Sequence, residues 1–439
     1  MGSPRMVPMA MNRYHPGQTD QSRLYNAILD AWDVQKFSHL PLDEARQLAL
    51  RAVSDLKLMP PLAMDPTQVE SLREQIVDEI LSLGPLQRLM KDTMISDILV
   101  NSPREVYVDR DGKLERADVV FRNEEHLVET IGTIAARVGR RIDLVSPILD
   151  ARLLDRSRIH AVIPPLAVDG PYMAIRRFRS RPLASDELLQ RGSLSPEMLK
   201  FLQRMVKARV NILISGGSGS GKTTLLNVLS GSIPDVERII TIEDAAELSL
   251  HQPHVVRMET RPPDVQGQGA VRERDLVISS LRMRPDRIII GEVRGEEAFD
   301  MLQAMNTGHD GSLTTIHANS PRDALTRLES VAAMAGFSMP GHYVRQHIAS
   351  ALQLVVQVTR FSDGSRKVTS ISEITGMQEQ MISMQEIFRF NRQASDVSGA
   401  VRGTFVSTGI RAAIEERVSL ENSGVRQAQP RPFGDSRGR

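Results

Sequence analysis

A run of small residues with one lysine is the first chemically informative feature of the chain. It follows an apolar segment, Asn211 to Ile214, and leads into Leu225 to Leu229, which has the composition of a helix. Strand, glycine-rich loop and helix in this order are the context of a phosphate-binding P-loop. Glycines let backbone N–H groups converge on phosphate oxygens, and a helix N-terminus favours negative charge. The predicted nucleotide-binding residues are Gly216, Gly217, Ser218, Gly219, Ser220, Gly221, Lys222, Thr223 and Thr224.

Two side chains of this loop have chemistry of their own. Lys222 is placed to reach the β- and γ-phosphates, and Thr223 is placed to ligate Mg²⁺. The alternative is a flexible glycine turn, but at ordinary glycine usage the pattern arises by chance in only about one or two per cent of such chains. The sequence therefore predicts a site for ATP and Mg²⁺.

Acidic residues follow two apolar runs downstream of the loop. Glu292 ends the run that begins at Arg287, so we expect it at the carboxyl edge of a parallel sheet, where such folds bind ligands. It is the candidate group that positions or deprotonates water, and it is also a metal candidate through a water. The alternative interpretation of Glu292 is a solvated carboxylate at the end of a strand. Glu243 and Glu247 are candidates to hold the metal-bound water, or else acids at a helix N-terminus.

The elements that must position these residues predict two folded domains. From residue 196 onward, short apolar runs alternate with amphipathic segments, which is typical of a parallel sheet covered by helices. Between residues 91 and 178, β-type runs and hairpin turns predict an α+β domain. The predicted divisions are a disordered N-terminus at 1–20, a helical region at 21–90, an α+β domain at 91–178, a linker at 179–195, an α/β domain at 196–390 and a disordered tail at 391–439.

Composition argues against several classes of function. Lys and Arg total 55 against 54 for Asp and Glu, so the net charge of +1 gives no general attraction to nucleic acid. The absence of cysteine excludes a disulfide framework and a thiolate zinc site. No apolar run approaches the roughly 20 residues that cross a bilayer. We therefore expect no nucleic-acid partner and no transmembrane segment.

A histidine at a further strand end completes a recognisable set of motifs. His317 lies in the segment Thr307 to Asn319, and a lone histidine is usually structural. Together with the P-loop, an acidic box at Thr241 to Leu248 and an atypical Walker B motif ending in Glu292, it forms an ordered series. With this series the chain resembles the type II/type IV secretion ATPases, closest to the tight-adherence (Tad) pilus ATPases of CpaF type. The resemblance covers approximately residues 89–390.

The resemblance implies a fold and further site residues. The fold class it implies is α/β, a RecA-like P-loop NTPase domain preceded by an α+β domain and a helical region. His317 becomes a catalytic candidate. Arg158, Arg176 and Arg177 are expected to approach the phosphates across the domain interface, the alternative for each being a surface ion pair. Where the family usually has Asp-Gly-Ser-Arg, this chain has arginine at position 156, which predicts an altered local backbone.

The resemblance also implies a function for the whole protein. Such proteins form homo-hexameric rings, and hydrolysis would change the angle between the domains and push on an inner-membrane platform protein. The expected role is a motor for pilus assembly, retraction or secretion, in the cytoplasm and peripherally bound to the bacterial inner membrane. One alternative is a nucleotide-gated scaffold with little turnover, against which Glu292 argues. Another is a DNA-translocating conjugation ATPase, against which the near-neutral charge and single Trp argue.

Overall fold

The chain divides into two compact units, residues 1–180 and 181–439. The computed structural model describes residue 24 and residues 42–54, 64–81, 83–110, 112–177, 183–263, 268–336, 340–393 and 401–415. The predicted disordered N-terminus at 1–20 lies outside the described residues. So do residues 179–182 of the predicted linker and residues 416–439 of the predicted tail.

In the described part of the N-terminal unit, helices come first and an antiparallel sheet follows. The helices are α1 (Leu42–Ser54), α2 (Pro66–Leu81), a 3₁₀ turn (Gly84–Leu86), α3 (Gln87–Lys91) and α4 (Glu124–Arg137). The strands are β1 (Ile95–Ser102), β2 (Glu105–Arg110), β3 (Lys113–Arg116), β4 (Ile148–Arg152), β5 (Arg158–Val162) and β6 (Tyr172–Arg176). In the described residues they form a six-stranded sheet in the order β3-β2-β1-β6-β5-β4.

One face of this sheet is covered by α4. Leu127, Ile131 and Ile134 recur at helical spacing, and all three are buried in one core with Ile98 and Ile159 of the sheet. The helix starts at Asn123, whose side chain accepts a hydrogen bond from the His126 amide at 2.9 Å. The spacing of apolar residues therefore sets the α+β packing of this unit.

The turn between β4 and β5 contains the arginine that replaces the family's glycine. Arg156 has φ of 71°, the left-handed region that favours glycine. Asp155 holds the turn, because its Oδ1 accepts from the Ser157 amide at 3.0 Å and its Oδ2 from the Ser157 hydroxyl at 2.9 Å. Arg156 therefore adopts a backbone conformation that favours glycine, and the altered backbone stays a prediction.

This conformation predicts that Arg156→Gly stabilises the protein. An L-residue in the left-handed region costs roughly 1–2 kcal/mol. Glycine offsets part of that gain, because it has more conformational freedom in the unfolded chain. We expect a net gain of about 0.5–1 kcal/mol, measured by urea denaturation. Arg156→Ala is the control and should bring no gain, since alanine keeps the Cβ; an equal gain in both variants would contradict the argument.

The C-terminal unit is built on a larger, mostly parallel sheet. Its helices are α5 (Ser185–Gln190), α6 (Pro196–Lys207), α7 (Lys222–Ser230), α8 (Glu273–Ser280), α9 (Glu297–Asn306), α10 (Pro321–Ala333) and α11 (Gly341–Ala351). Its strands are β7 (Ile212–Gly216), β8 (Ile239–Glu243), β9 (Val255–Glu259), β10 (Arg287–Ile290), β11 (Leu313–His317), β12 (Leu354–Arg360), β13 (Arg366–Gln378), β14 (Met381–Arg392) and β15 (Gly403–Ser407). In the described residues the strand order is β15-β14-β13-β12-β7-β11-β10-β8-β9.

Helices cover both faces of this sheet. Ile212 and Ile214 of β7 belong to a core that contains α6 and α7, whereas Leu213 between them belongs to a second core with α9, α10 and α11. A strand buried on both faces needs an unbroken apolar run, which is what the sequence has there. The strands from β12 to β9 pair in parallel, and those from β12 to β15 are antiparallel. The predicted fold class, a RecA-like α/β domain preceded by an α+β domain, is confirmed.

A fully buried arginine begins the Walker B strand. The Arg287 guanidinium donates to both carboxylate oxygens of Glu237, at 2.7 and 3.1 Å, and to the Gly311 carbonyl at 3.1 Å. Arg209 lies 3.1 Å from the same carboxylate. A buried charge is tolerated when it is paired and hydrogen-bonded in this way. The network ties together the amino ends of four neighbouring strands, β7, β11, β10 and β8, at the edge of the sheet opposite their carboxyl ends.

The structure corrects two of the predicted boundaries. Within the tail predicted to be disordered, β15 pairs with β14 and places Phe405 opposite Phe390. Beyond it, Ile414 is buried, and its amide donates to the Glu373 carboxylate at 2.7 Å. Within the predicted linker, α5 buries Leu188 in the core of the C-terminal unit. A few apolar residues in polar surroundings were enough to order both segments.

In the described part of the chain, no helix is long and apolar enough to cross a membrane.

Candidate active site

The P-loop connects β7 to α7 at the carboxyl edge of the sheet. Gly219 and Gly221 have φ of 65° and 99°, values that residues with a Cβ rarely adopt. A Cβ on Gly216 would collide with the Val358 carbonyl and the Ser220 side chain. Three glycines are thus required by backbone geometry. The result is a loop whose amides can approach a phosphate closely.

The remaining P-loop residues are arranged around the start of α7. Ser218 is exposed and Ser220 is buried, and its hydroxyl has no hydrogen-bond partner in the structure. Thr223 and Thr224 lie in the first turn of the helix and are partly exposed. The first turn of a helix supplies unpaired N–H groups and a favourable dipole for an anion.

Lys222 is buried and its ammonium group lies over the loop. Its Nζ donates to the Gly217 carbonyl at 3.1 Å and lies 3.4 and 3.3 Å from Nδ1 and Nε2 of His317. The structure therefore brings together the P-loop lysine and the histidine at the end of β11. The strand that leads into the P-loop, β7, and the strand that ends in His317, β11, are direct neighbours in the sheet.

Glu292 follows β10, the next strand of the sheet, and contacts His317. His317 Nε2 lies 3.2 Å from Glu292 Oε2. The turn that carries Glu292 is fixed to β11, because the Thr315 hydroxyl donates to the Gly291 carbonyl at 2.7 Å. Lys222, His317 and Glu292 thus form a continuous polar series across β7, β11 and β10.

The charges of this series favour a neutral histidine. Burial lowers the pKa of His317, and the Lys222 cation lowers it further, while the Glu292 carboxylate opposes them. A neutral imidazole has one N–H and one acceptor nitrogen. With the N–H on Nε2, His317 donates to Glu292, and we assign this tautomer from the geometry.

Glu243 lies at the end of β8, and the structure ties Glu247 to it. Glu243 Oε1 accepts hydrogen bonds from the amides of Glu247 at 2.8 Å and Leu248 at 2.7 Å, whereas Oε2 is buried without a partner. Burial raises the pKa of Glu243 to about 7. A Cβ on Gly291 would lie 3.1 Å from Glu243 Cγ, which explains the glycine before Glu292. Glu247 contributes its backbone amide and is itself partly exposed.

Arg294 is a site residue that sequence reasoning missed. Its Nε donates to Glu292 Oε1 at 2.9 Å, and its Nη1 lies 3.7 Å from Asp244 Oδ2. The series therefore ends in a cation that pairs with the candidate base. An available signal was the spacing Glu-Val-Arg after a strand, which puts Glu292 and Arg294 two residues apart on one side of an extended segment.

The predicted arginines of the N-terminal unit fall into two kinds of environment. Arg158 and Arg176 are directly opposite each other on β5 and β6. Arg176 is exposed, and Arg158 Nη2 lies 3.9 Å from Asp150 Oδ2. The Arg177 guanidinium instead donates to the Asp92 carbonyl and lies 3.5 Å from that of Ile95. Arg177 is therefore bonded to the backbone of its own unit.

The family model described as type II/IV secretion system protein matches residues 79–421. The chain belongs to the type II/IV secretion system protein family. The match includes the P-loop, the acidic residues and His317, and it extends beyond β15.

Individual members of this family are similar over most of their length. The type IV secretion system protein VirB11 of Bartonella quintana is 32% identical over 334 residues, which cover 68% of this chain and 93% of that protein. The conjugal transfer protein TrbB of Rhizobium radiobacter is 31% identical over 324 residues, covering 72% and 94%. Among solved structures, the VirB11 ATPase of the Brucella suis type IV secretion system, in complex with sulphate, is 30% identical and covers 67% and 95%, with a TM-score of 0.37.

Proposed function

We propose that this secretion-family protein hydrolyses ATP to ADP and phosphate as a motor of a pilus or secretion machine of the Tad type. The contact series Lys222–His317–Glu292 supports the proposal most directly. It joins a phosphate-binding cation to a carboxylate that can accept a proton from water. The proposal includes a ring of six copies in the cytoplasm, acting on an inner-membrane platform protein.

In this proposal each residue has a defined task. The loop amides and Lys222 bind the β- and γ-phosphates, so Lys222 exchanges its present contact with Gly217 for phosphate oxygens. Glu292 orients the attacking water and accepts its proton. His317 holds the Glu292 carboxylate through its N–H, and Arg294 holds the other oxygen. Glu243, buried with one unpartnered oxygen, is placed to bind a second water at the same edge.

The residues present fit the Mg²⁺ that the resemblance implies. Among the described residues no group of three or more His, Asp or Glu side chains could hold a metal alone. Thr223 offers a hydroxyl oxygen, and Glu292 offers a carboxylate through water. Such sparse oxygen ligation suits Mg²⁺, which retains waters and shares substrate phosphates. When bound, the ion neutralises charge on the phosphate oxygens.

Replacing Glu292 with glutamine tests the hydrolytic role. The amide fills the same volume but cannot accept a proton, so turnover should fall by about a hundredfold while ATP affinity changes little. Phosphate release and fluorescent-nucleotide titration measure the two quantities. Glu329→Gln is the control, since Glu329 pairs with Arg345 on α10 and α11 rather than at the P-loop. An equal loss of affinity and turnover in Glu292→Gln would make Glu292 a structural residue.

The name of the conjugal transfer protein TrbB favours one second candidate, a role in conjugal transfer. The charge balance of +1 supplies no general attraction to the DNA backbone. DNA-stimulated turnover that weakens with salt would support this candidate. Turnover that is independent of DNA supports the pilus or secretion motor.

A further inference from the structure

Two arginines lie against the P-loop on the side away from the hydrolytic residues. Arg360 ends β12, Arg366 begins β13, and the two are directly opposite each other in the hairpin. Arg366 Nε donates to the Gly219 carbonyl at 2.8 Å. Arg366 Cδ is 3.4 Å from the place of a Cβ on Gly221, and Arg360 Nη1 is 3.2 Å from that place on Gly219.

This arrangement puts two like charges opposite each other beside a phosphate-binding loop. Like charges at directly opposed positions of a hairpin disfavour the pairing. An anion between or beside them reverses that effect, because guanidinium groups bind phosphate oxygens with charge-assisted hydrogen bonds. The hairpin therefore extends the positive surface of the loop.

The strand order indicates which part of a nucleotide would meet these arginines. β7, which carries the P-loop, lies between β11 and β12. Two groups suited to the γ-phosphate lie on one side of β7: His317 ends β11, and Glu292 follows β10. Arg360 and Arg366 come from β12 and β13 on the other side. A triphosphate whose γ end faces Glu292 thus has its α end facing the hairpin.

We propose that Arg360 and Arg366 bind the α-phosphate of the nucleotide, the part that ADP and ATP share. The inference rests on the proposed ATP hydrolysis and adds two binding residues to it. They hold the nucleotide in every state of the cycle, whereas His317 and Glu292 respond to the γ-phosphate. Their effect is therefore on affinity rather than on the chemical step.

The double variant Arg360→Ala/Arg366→Ala tests this role. We expect the affinities for ADP and for a slowly hydrolysed ATP analogue to fall by the same factor, about ten- to a hundredfold, from the loss of charged hydrogen bonds. Turnover at saturating ATP should remain within a few-fold of wild type. Arg389→Ala is the control, since Arg389 pairs with Glu386 on β14 and β14 is three places from β7 in the sheet. Fluorescent-nucleotide titration and phosphate release are the measurements.

Single variants separate ligand binding from support of the loop. If Arg366 only secures the loop through the Gly219 carbonyl, Arg360→Ala leaves both affinities unchanged, and this result overturns the proposal. A loss confined to the ATP analogue also overturns it, because the arginines would then contact the γ-phosphate. Weaker binding of both nucleotides by Arg360→Ala supports it.

These outcomes remain distinct from failure of the proposed function. A wild-type protein that binds nucleotide but releases no phosphate contradicts hydrolysis and leaves the affinity comparison valid. Unchanged affinities in the double variant, with active wild-type protein, contradict only the role of Arg360 and Arg366.

Discussion

Replacing Lys222 with alanine should weaken ATP binding by about a hundredfold or more and reduce turnover to background, because the variant loses charged hydrogen bonds to two phosphates. The structure also indicates why the substitution should affect ATP binding and turnover without unfolding the protein. Lys222 Nζ contacts the Gly217 carbonyl and the ring of His317. Without Lys222, the Gly217 carbonyl still accepts from the Ser220 amide, and His317 still contacts Glu292. The fold should therefore persist while the site fails.

The same substitution has a consequence for His317 that can be measured separately. Lys222 is one of the groups that lower the pKa of His317. Removing this cation should raise that pKa toward the ordinary value, since a protonated ring no longer faces the Lys222 ammonium group while Glu292 still favours it. Histidine proton resonances followed through a pH titration report the shift.

A matched control is available on the neighbouring helix. Lys207 is exposed in the last turn of α6, so Lys207→Ala removes one positive charge without touching the loop. Its nucleotide affinity, turnover and His317 titration should match those of the wild type. Normal turnover in Lys222→Ala would reject the P-loop assignment, and an unfolded Lys222→Ala protein would show that the lysine is needed for structure.

The parts of the site that could be predicted are those encoded in continuous sequence. Strand, loop and helix are adjacent around Lys222, so their order alone identifies a phosphate site. Glu292 and His317 could each be placed at a strand end because apolar runs precede them. Parallel strands bring their carboxyl ends to one edge. The type of each element and its functional edge therefore followed from local patterns.

Contacts between those strand ends could not be predicted, because they depend on strand order. Lys222 and His317 meet only because β7 and β11 are neighbours, although 95 residues separate them. The hairpin with Arg360 and Arg366 reaches the loop for the same reason. In the sequence, Arg287 is only the first residue of an apolar run. Its pairing with Glu237 can be recognised only in the folded structure. Long-range pairing is decided by burial and charge that no short segment contains.

The N-terminal unit gives a second prediction of large effect. We propose that Arg158 and Arg176 bind the γ-phosphate when the two units close over ATP, as the resemblance implies. They are directly opposed on adjacent strands, so one phosphate could contact both guanidinium groups. Arg158 Nη2 lies 3.9 Å from Asp150 Oδ2, in the range of a weak surface ion pair.

Arg158→Ala/Arg176→Ala should reduce turnover by about a thousandfold, the lower range for arginine fingers, because two positive charges would be lost from the transition state. ADP affinity should change little, since ADP lacks the γ-phosphate. If the two arginines form only surface ion pairs, the loss is about 0–1 kcal/mol and turnover stays within a few-fold. Steady-state phosphate release measured beside ADP titration separates these outcomes.

Two further arginines of the same unit make this test specific. Arg116→Ala removes a charge from β3, at the far edge of the sheet, and should leave turnover unchanged. Arg177→Ala should instead lower stability, because the variant loses the hydrogen bond that the guanidinium of Arg177 donates to the Asp92 carbonyl. A thousandfold loss confined to the double variant, with unfolding midpoints equal to wild type, places the N-terminal unit in the catalytic cycle. An equal loss in Arg116→Ala would mean that net charge, rather than contact with the nucleotide, controls turnover.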